Sequence, residues 1–359
     1  MRKAEQTRWP LAPEYASITD AGNQTGSAWY QGKSAPLADP RAGGHAGGGW
    51  CQLSHAGITR FCSRVGVMGG PSTRSDGARD MFDELGKIGV WRSAAQLSPE
   101  LAVTLERLGY GAIWIGGSPS GDLRLAEQLL DATTTLTVAT GIVNIWKDAA
   151  EPVAASYHRI EARHPGRFLL GIGVGHPEAI GARYAKPYEA LVGYLDELDA
   201  AQVPIGRRVL AALGPKMLKL SAERAAGAHP YLTTPGHTRK ARAILGSGVL
   251  LAPEQKVVLD TDPVRARAIG RPVVAKPYLG LVNYTSNLRS LGYTDADLAD
   301  GGSDRLIDAL VDHGDAGTVA AGVTEHLDAG ADHVAVQLLT AVGDDPVVGF
   351  TALAKALFG

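Results

Sequence analysis

The chain has 359 residues, of which 45% are hydrophobic and 20% are charged, and its formal net charge is −2. This ordinary composition gives no electrostatic reason to expect a nucleic acid or an anionic membrane as a partner. No apolar run has the length of a transmembrane helix and the N-terminal stretch lacks the apolar core of a signal peptide, so we expect a cytoplasmic protein.

Residues 1–80 differ in composition from the rest of the chain. They are rich in Gly, Ser, Ala, Arg and Pro, and they hold both cysteines, Cys51 and Cys62. Such a segment buries too little apolar surface to offset the entropy lost on ordering, so we predict a disordered extension. The composition changes at Met81, which predicts one folded domain over 81–359. One interpretation is that the native protein starts at Met81.

The number and position of the cysteines also limit which kinds of site are expected. With both thiols in the extension, a disulfide framework, a cysteine-ligated zinc site and a cysteine nucleophile are not expected in the domain. We expect no metal site.

From Met81 onward, apolar strands alternate with helical segments. The predicted strands are Ile88–Trp91, Ala112–Ile115, Leu136–Ile145, Phe168–Val174, Arg208–Leu213, Pro230–Thr233, Val249–Leu251 and Asp332–Leu338. Eight strand–helix units in a chain of this length indicate an α/β fold of the (β/α)8 TIM-barrel type, and a doubly wound open sheet is the alternative.

Local signals mark several helix starts and one insertion. Ser98 and Thr234 each precede a proline and are typical N-caps. The sequence from Asp148 to Glu151 resembles a capping box. Between Pro253 and Gly330 several helical segments follow the seventh strand, which predicts an insertion over the catalytic face of the barrel.

FLLGIGVGHPE, at residues 168–178, carries the strongest local signal. It begins as an apolar run without alternation, which suits a strand buried on both faces. Every second position is then a glycine: Gly171, Gly173 and Gly175. His176 and Glu178 follow at the carboxyl end of the strand, where α/β proteins bind ligands. The pattern favours a planar cofactor over the glycines beside His176 or Glu178, and a glycine-softened barrel corner is the alternative.

The fifth predicted strand ends in a second candidate site. It runs directly into Gly214, Pro215 and Lys216, a helix start with a lysine in its first turn, which suits a phosphate group. A solvated helix lysine is the alternative interpretation of Lys216. No motif for hydrolysis or phosphoryl transfer is found in the chain. Strand ends rich in glycine and poor in acid–base pairs indicate that a cofactor carries the chemistry.

Longer segments make a family resemblance specific. They include ELGKIGVW (84–91), GYGAIWIGGSP (109–119), ATGIVNIW (139–146), GRFLLGIGVGHPE (166–178), LAALGPKMLKLSAERAAGAHPYLTTPGHT (210–238), LLAPEQKVVL (250–259), GSDRLIDALV (302–311) and HLDAGADHVAVQLL (326–339). Over residues 82–339 the chain resembles the luciferase-like monooxygenase superfamily, in its branch of oxidoreductases that depend on the deazaflavin coenzyme F420.

The resemblance implies roles for individual residues. A bulge in the third strand with a non-prolyl cis peptide, here Gly141-Ile142 with Asn144 beside it, would lie behind the cofactor ring. Residues 212–217 would hold the phosphate-bearing tail. The expected cofactor-contacting residues are Trp91, Ser118, Gly141, Ile142, Asn144, Gly173, Gly175, Ala212, Leu213, Gly214, Pro215, Lys216 and Met217. His176 and Glu178 are the expected catalytic residues.

Two departures from the related sugar-phosphate dehydrogenases bear on the reaction. His176 lies where those enzymes carry a glutamate, and Ser118 lies near the position of their histidine, so a sugar-phosphate reaction is not expected. The resemblance implies hydride transfer between coenzyme F420 and a small organic substrate, such as a carbonyl, an alcohol or an activated alkene. The alternatives are an FMN-dependent monooxygenase and a catalytically silent F420-binding barrel. The oligomeric state is left open, with a homodimer as one arrangement.

Overall fold

The structure is a computed structural model that describes residues 84–176, 180–181 and 186–359. The extension over 1–80, the proposed start at Met81 and the candidate catalytic residue Glu178 lie outside these ranges, so those expectations stay predictions.

Within the described ranges, eleven strands pair in parallel in one sheet. They are β1 (Ile88–Ser93), β2 (Ala112–Gly116), β3 (Thr137–Gly141), β4 (Val143–Asn144), β5 (Phe168–Gly173), β6 (Arg208–Leu210), β7 (Gly227–Ala228), β8 (Leu250–Leu251), β9 (Glu254–Val258), β10 (Val311–His313) and β11 (Val334–Leu338).

The same part of the chain forms twelve α-helices. They are α1 (Pro99–Arg107), α2 (Arg124–Ala132), α3 (Ala150–Arg163), α4 (Pro187–Ala200), α5 (Pro215–Arg224), α6 (Pro235–Leu245), α7 (Pro263–Ala275), α8 (Val282–Ser290), α9 (Asp295–Leu298), α10 (Asp304–Leu310), α11 (Ala316–Asp328) and α12 (Pro346–Phe358). No helix in the described ranges is both long and apolar enough to cross a membrane.

The sheet closes on itself. Its strands follow the chain from β1 to β8, and β11 pairs with β1. Only Ala252 and Pro253 separate β8 from β9. Ala252 N donates to Ala228 O at 2.9 Å on one side of this segment, and Asp332 N donates to the carbonyl of Leu251 at 2.9 Å on the other. Since one extended segment bonds to both neighbours, the (β/α)8 TIM barrel expected from the sequence is confirmed, with β3–β4 and β8–β9 each filling one barrel position.

Side chains of the barrel strands alternate between two apolar layers. Those that point outward, such as Ile113, Val138 and Leu170, pack under the surrounding helices in the largest hydrophobic cluster. Those that point inward, such as Trp114 and Leu169, fill the barrel axis. Because both faces are covered, the strands are continuous apolar runs, as the sequence indicated.

Two predicted strands and one predicted cap were wrong in detail. The sixth strand is β7 at Gly227–Ala228 instead of Pro230–Thr233, since Pro230 has no N–H to donate to a ladder. The seventh position extends beyond Leu251 into β9, whose charged residues resemble a loop in sequence. The helix α3 begins at Ala150 without a side-chain cap, so the capping box at Asp148 does not form.

The insertion after the seventh barrel position is confirmed. It comprises α7 to α10 and the short strand β10, which pairs in parallel with β9. Its apolar residues, among them Tyr278, Tyr284 and Leu306, form a separate buried cluster. Leu213 and Tyr231 of the barrel pack against this cluster, so the insertion adjoins the carboxyl ends of the central strands.

Candidate functional site

Three residues at the carboxyl end of the barrel are partly exposed. They are Gly141 at the end of β3, Ala211 after β6 and Tyr231 after β7, whereas Gly116 and Gly173 are buried. We call this end of the barrel the barrel mouth. A side-chain-free residue at its edge leaves the backbone accessible to a ligand.

The bulge between β3 and β4 is the backbone feature that shapes the mouth. The Gly141–Ile142 peptide bond is cis, as the resemblance implied. The bulge fills the space beside the glycines of β5. An ideal Cβ on Gly171 would overlap the Thr140 carbonyl oxygen, and one on Gly173 would lie 2.8 Å from Ile142 Cδ1.

Gly175, just after β5, makes room for Asn144 of β4 in a similar way. Gly175 has a φ of +59°, and an ideal Cβ there would overlap the Asn144 side-chain amide. The Asn144 Oδ1 accepts a hydrogen bond from Trp146 N at 3.0 Å, which turns the chain after β4. The glycines of β5 therefore make room for the protein's own bulge. Their contact with a cofactor, like that of Asn144, stays a prediction.

Trp91 covers the glycines of β2 and β3 from inside the barrel. An ideal Cβ on Gly116 would overlap its indole, and one on Gly141 would lie 2.9 Å from its Nε1. The Trp91 ring also packs against Tyr231, with centroids 5.1 Å apart. Among the described residues, its buried Nε1 has no hydrogen-bond partner.

His229 lies next to Trp91 at the same level of the barrel. It stacks on Trp114 with centroids 4.1 Å apart, and its Nδ1 donates to the Ala252 carbonyl at 2.7 Å. Burial lowers the pKa of His229 to about 4, so the ring is neutral and its Nε2 is an acceptor. His229 precedes the predicted sixth strand, Pro230–Thr233, and was not predicted as a site residue. Alternation from the true strand, Gly227–Ala228, would have pointed it inward.

A buried ion pair lies at the other side of the mouth. Lys256 Nζ donates to Glu254 Oε1 at 3.0 Å, and both side chains are fully buried. The ammonium group lies 3.8 Å from the centroid of the Tyr231 ring, and Tyr231 OH donates to Gln337 Oε1 at 3.0 Å. Burial raises the pKa of Glu254 against the opposing effect of Lys256.

These polar groups were not identified as site residues from the sequence. The signal was the spacing of Glu254 and Lys256, because residues two apart in a strand share a face. The strand itself was missed, so the spacing had no structural context.

His176 contacts the insertion. Its ring centroid lies 5.5 Å from that of Tyr284 and 6.4 Å from that of Tyr278, and the residue is partly exposed. The structure therefore brings this candidate to the insertion side of the barrel end. The other candidate catalytic residue, Glu178, is outside the described residues.

The junction of β6 and α5 forms a distinct part of the same barrel end. Gly214 is the N-cap of α5 and makes no side-chain cap, and none of the residues that the structure describes lies within 4 Å of an ideal Cβ there. Lys216 Nζ lies 3.7 Å from the centroid of the Tyr188 ring. The Leu213 carbonyl accepts from His237 Nε2 at 2.9 Å.

The other predicted residues of this junction differ in exposure. Ala212 is buried and Met217 is partly buried, each in an apolar cluster with α5, whereas Pro215 is exposed. Ser118 lies in the loop after β2 with a φ of 52°. The exposed first turn of α5 is thus the part of this junction that is open to an anion.

Comparison with protein-family models gives a match over residues 92–249, to the model described as luciferase-like monooxygenase. Over this span the chain is similar to the luciferase-like monooxygenase family. The matched residues run from β1 to the segment before β8 and include Gly141, His176 and Gly214. A comparison with curated proteins finds no match.

Solved structures share the luciferase-like fold at low sequence identity. An F420-dependent secondary alcohol dehydrogenase in complex with an F420–acetone adduct is 14% identical, with a TM-score of 0.60 over 76% of this chain and 99% of the other. The coenzyme F420-dependent tetrahydromethanopterin reductase from Methanopyrus kandleri is 16% identical, with a TM-score of 0.57 over 76% and 98%.

A third structure binds a different cofactor. The oxygenating constituent of 3,6-diketocamphane monooxygenase from Pseudomonas putida, solved with FMN, is 14% identical, with a TM-score of 0.56 over 75% of this chain and 95% of the other. The luciferase-like barrel is therefore shared by structures with either cofactor, and the fold by itself does not choose between them.

Proposed function

We propose that this luciferase-like barrel is an oxidoreductase that binds coenzyme F420 at the barrel mouth and transfers a hydride between it and a small organic substrate. The observation that carries the proposal is the partly exposed Gly141 at the edge of the mouth, in a chain whose family model is luciferase-like. The alternative is an FMN-dependent monooxygenase, which the similarity to the diketocamphane enzyme supports.

The residues present fit a flavin-type cofactor at both of its ends. A flat ring requires close approach to the backbone, and Gly141 has no side chain of its own and is partly exposed at the barrel mouth. A phosphate-bearing tail requires unpaired N–H groups, and the uncapped start of α5 at Gly214 supplies them with open space around it. When bound, the cofactor would supply the hydride chemistry.

The protein's own residues would then position the substrate and handle its proton. Tyr231, Tyr278 and Tyr284 form an aromatic wall near His176 that suits a small organic substrate. A histidine side chain is able to donate a proton to a substrate oxygen near neutral pH. His176 is therefore our candidate general acid.

Cofactor titration tests the proposal. The full chain is titrated with coenzyme F420 and, separately, with FMN, while the fluorescence of each cofactor is followed. We expect F420 to bind more tightly than FMN, because of the resemblance over residues 82–339. Tighter binding of FMN would favour the monooxygenase, and a failure of both cofactors to bind would contradict the proposal.

His176→Gln tests the proton donor. We expect unchanged F420 affinity and a turnover lowered by about 10²- to 10⁴-fold, the usual value of general acid–base catalysis. The measurement is cofactor reduction by a panel of secondary alcohols, with Glu178→Gln as the matched variant two residues away. Full turnover in His176→Gln with loss in Glu178→Gln would transfer the role to Glu178. Full turnover in both would contradict a proton donor in this loop.

A further inference from the structure

Two buried polar atoms lie close to Gly141, and neither has a hydrogen-bond partner in the part of the chain that the structure describes. An ideal Cβ on Gly141 would lie 2.9 Å from Trp91 Nε1 and 3.2 Å from His229 Nε2. Trp91 is 6% exposed and His229 is 2% exposed, and within residues 84–176, 180–181 and 186–359 Trp91 Nε1 and His229 Nε2 stay unpaired. Buried polar groups are nearly always paired, so two unpaired atoms facing one side-chain-free residue require an explanation.

The neighbouring tryptophan and histidine in the same barrel show the usual arrangement. Trp114 Nε1 donates to His333 Nε2 at 3.0 Å, and His333 Nδ1 donates to the Gly86 carbonyl at 2.8 Å. That pair is satisfied within the protein. The pair formed by Trp91 and His229 differs because Trp91 Nε1 and His229 Nε2 both lie close to Gly141, which is partly exposed at the end of β3.

The two unpaired atoms have opposite hydrogen-bonding character. An indole Nε1 only donates. The Nε2 of His229 accepts, because Nδ1 of the same ring carries the proton that it donates to the Ala252 carbonyl. A ligand group that satisfies both atoms must therefore offer an acceptor and a donor side by side.

We propose that Trp91 and His229 bind the polar edge of the cofactor ring, where a ring carbonyl accepts from Trp91 Nε1–H and the adjacent ring N–H donates to His229 Nε2. Flavins and deazaflavins both carry such an imide edge, so the pair would recognise what the two cofactors share. The inference rests on the proposed function and adds to it the residues that orient the ring at Gly141.

The test measures F420 affinity in variants that remove one atom of the pair. Trp91→Phe removes the donor and keeps an aromatic ring. His229→Phe removes the acceptor and keeps a ring to stack on Trp114. We expect each variant to weaken F420 binding by about 5- to 10-fold, the usual effect of one neutral hydrogen bond.

A control variant separates this effect from lost stability. Tyr110 is 2% exposed, and its hydroxyl donates to the Phe350 carbonyl at 2.9 Å on the outer side of the barrel. We expect Tyr110→Phe to lower Tm while F420 affinity stays within about 2-fold of wild type. Circular dichroism spectra identify any variant that fails to fold, and because the pair is tested by two separate variants, either folded variant decides the result.

The outcomes distinguish the inference from the function on which it rests. If wild type binds neither F420 nor FMN, both are overturned. If wild type binds F420 and the folded Trp91 and His229 variants bind it equally well, the inference alone is overturned. Unchanged F420 affinity with a raised KM for substrate would also overturn it, since the pair would then bind a substrate hydroxyl.

Discussion

Buried polar side chains in this barrel differ in whether other protein groups pair with them. Arg208 is 1% exposed, yet its guanidinium donates to Asp199 and to the Val203 carbonyl, so its charge is compensated. Asp312 in β10 has no such compensation. Its Oδ2 is buried close to Gly322 of α11, and no group in the described parts of the chain forms a hydrogen bond with it. An uncompensated buried carboxyl is expected to hold its proton.

Asp312→Asn should therefore make the protein more stable at neutral and alkaline pH. Burial, with a smaller effect from Glu325, raises the pKa of Asp312 from 3.8 to about 7. Between these pH values the folded protein holds a proton that the unfolded chain releases, so stability falls as pH rises through this window and stays lower above it. The variant cannot ionise. We expect its Tm relative to wild type to be higher at pH 8 than at pH 4, as measured by differential scanning calorimetry.

Asp308→Asn is the matched control, because Asp308 lies close in sequence and has the opposite shift. Its bond to Arg267 lowers the pKa of that carboxyl, with a smaller contribution from His313. The stability it contributes is present above its ordinary pKa and lost as pH falls. Asp308→Asn should lower Tm at pH 8. Equal pH profiles for the two variants would contradict the proposed role of Asp312.

At the scale of elements, some helix N-termini have a side-chain cap and others do not. Ser98 accepts from Leu101 N at the start of α1, and Thr234 accepts from His237 N at the start of α6. Both were predicted from a polar residue followed by proline. The start of α5 at Gly214 has no side-chain cap, so its first-turn N–H groups stay available to an anion.

Gly214→Leu should abolish cofactor binding while the barrel still folds. The glycine has a φ of −84° and open space where a Cβ would lie, so the larger side chain causes no strain inside the protein. It would occupy the space in front of the α5 N-terminus, where we expect the phosphate-bearing tail. The measurement is F420 titration together with Tm.

Gly206→Leu is the matched control for this element. Gly206 lies just before β6, at the opposite end of the same strand, and also has nothing within 4 Å of an ideal Cβ. We expect Gly206→Leu to bind F420 as wild type does. Normal binding by Gly214→Leu would mean that the tail binds elsewhere.

At the scale of the whole molecule, the ring of strands connects distant parts of the chain. Residue 84 lies near one end of the described chain, and β11 lies near the other, yet β1 and β11 are paired neighbours. Closure leaves the barrel strands without an edge, and the helices cover their outer face. A protease therefore has little access to the barrel backbone.

Limited proteolysis should accordingly leave a protected fragment that begins near residue 81. The segment over 1–80 is rich in Gly, Ser and Pro and has no periodic apolar pattern, so we expect rapid cleavage there. N-terminal sequencing and intact-mass measurement of the surviving fragment locate its start. A protected fragment that retains residues 20–70 would show that the interpretation of this segment is wrong.

The sequence by itself determined the architecture and the backbone positions at the barrel mouth. Regular alternation of apolar strands with capped helices is enough for a (β/α)8 barrel, because each strand–helix unit packs on its neighbours in chain order. The family segments placed the cis peptide at Gly141-Ile142, and the structure has it there.

Only the tertiary structure decided which side chains meet. His229 follows a strand of only two residues and Lys256 lies in a strand with charged residues, so neither strand was recognised locally. Their ring contacts are with Trp114 and Tyr231, which come from other parts of the barrel. Trp91 and His229 are 138 positions apart in sequence and face one glycine only because the sheet closes. The apolar pattern of a segment shows which of its faces is buried. Contacts across the barrel depend on strand order and register, and neither can be read from one segment alone.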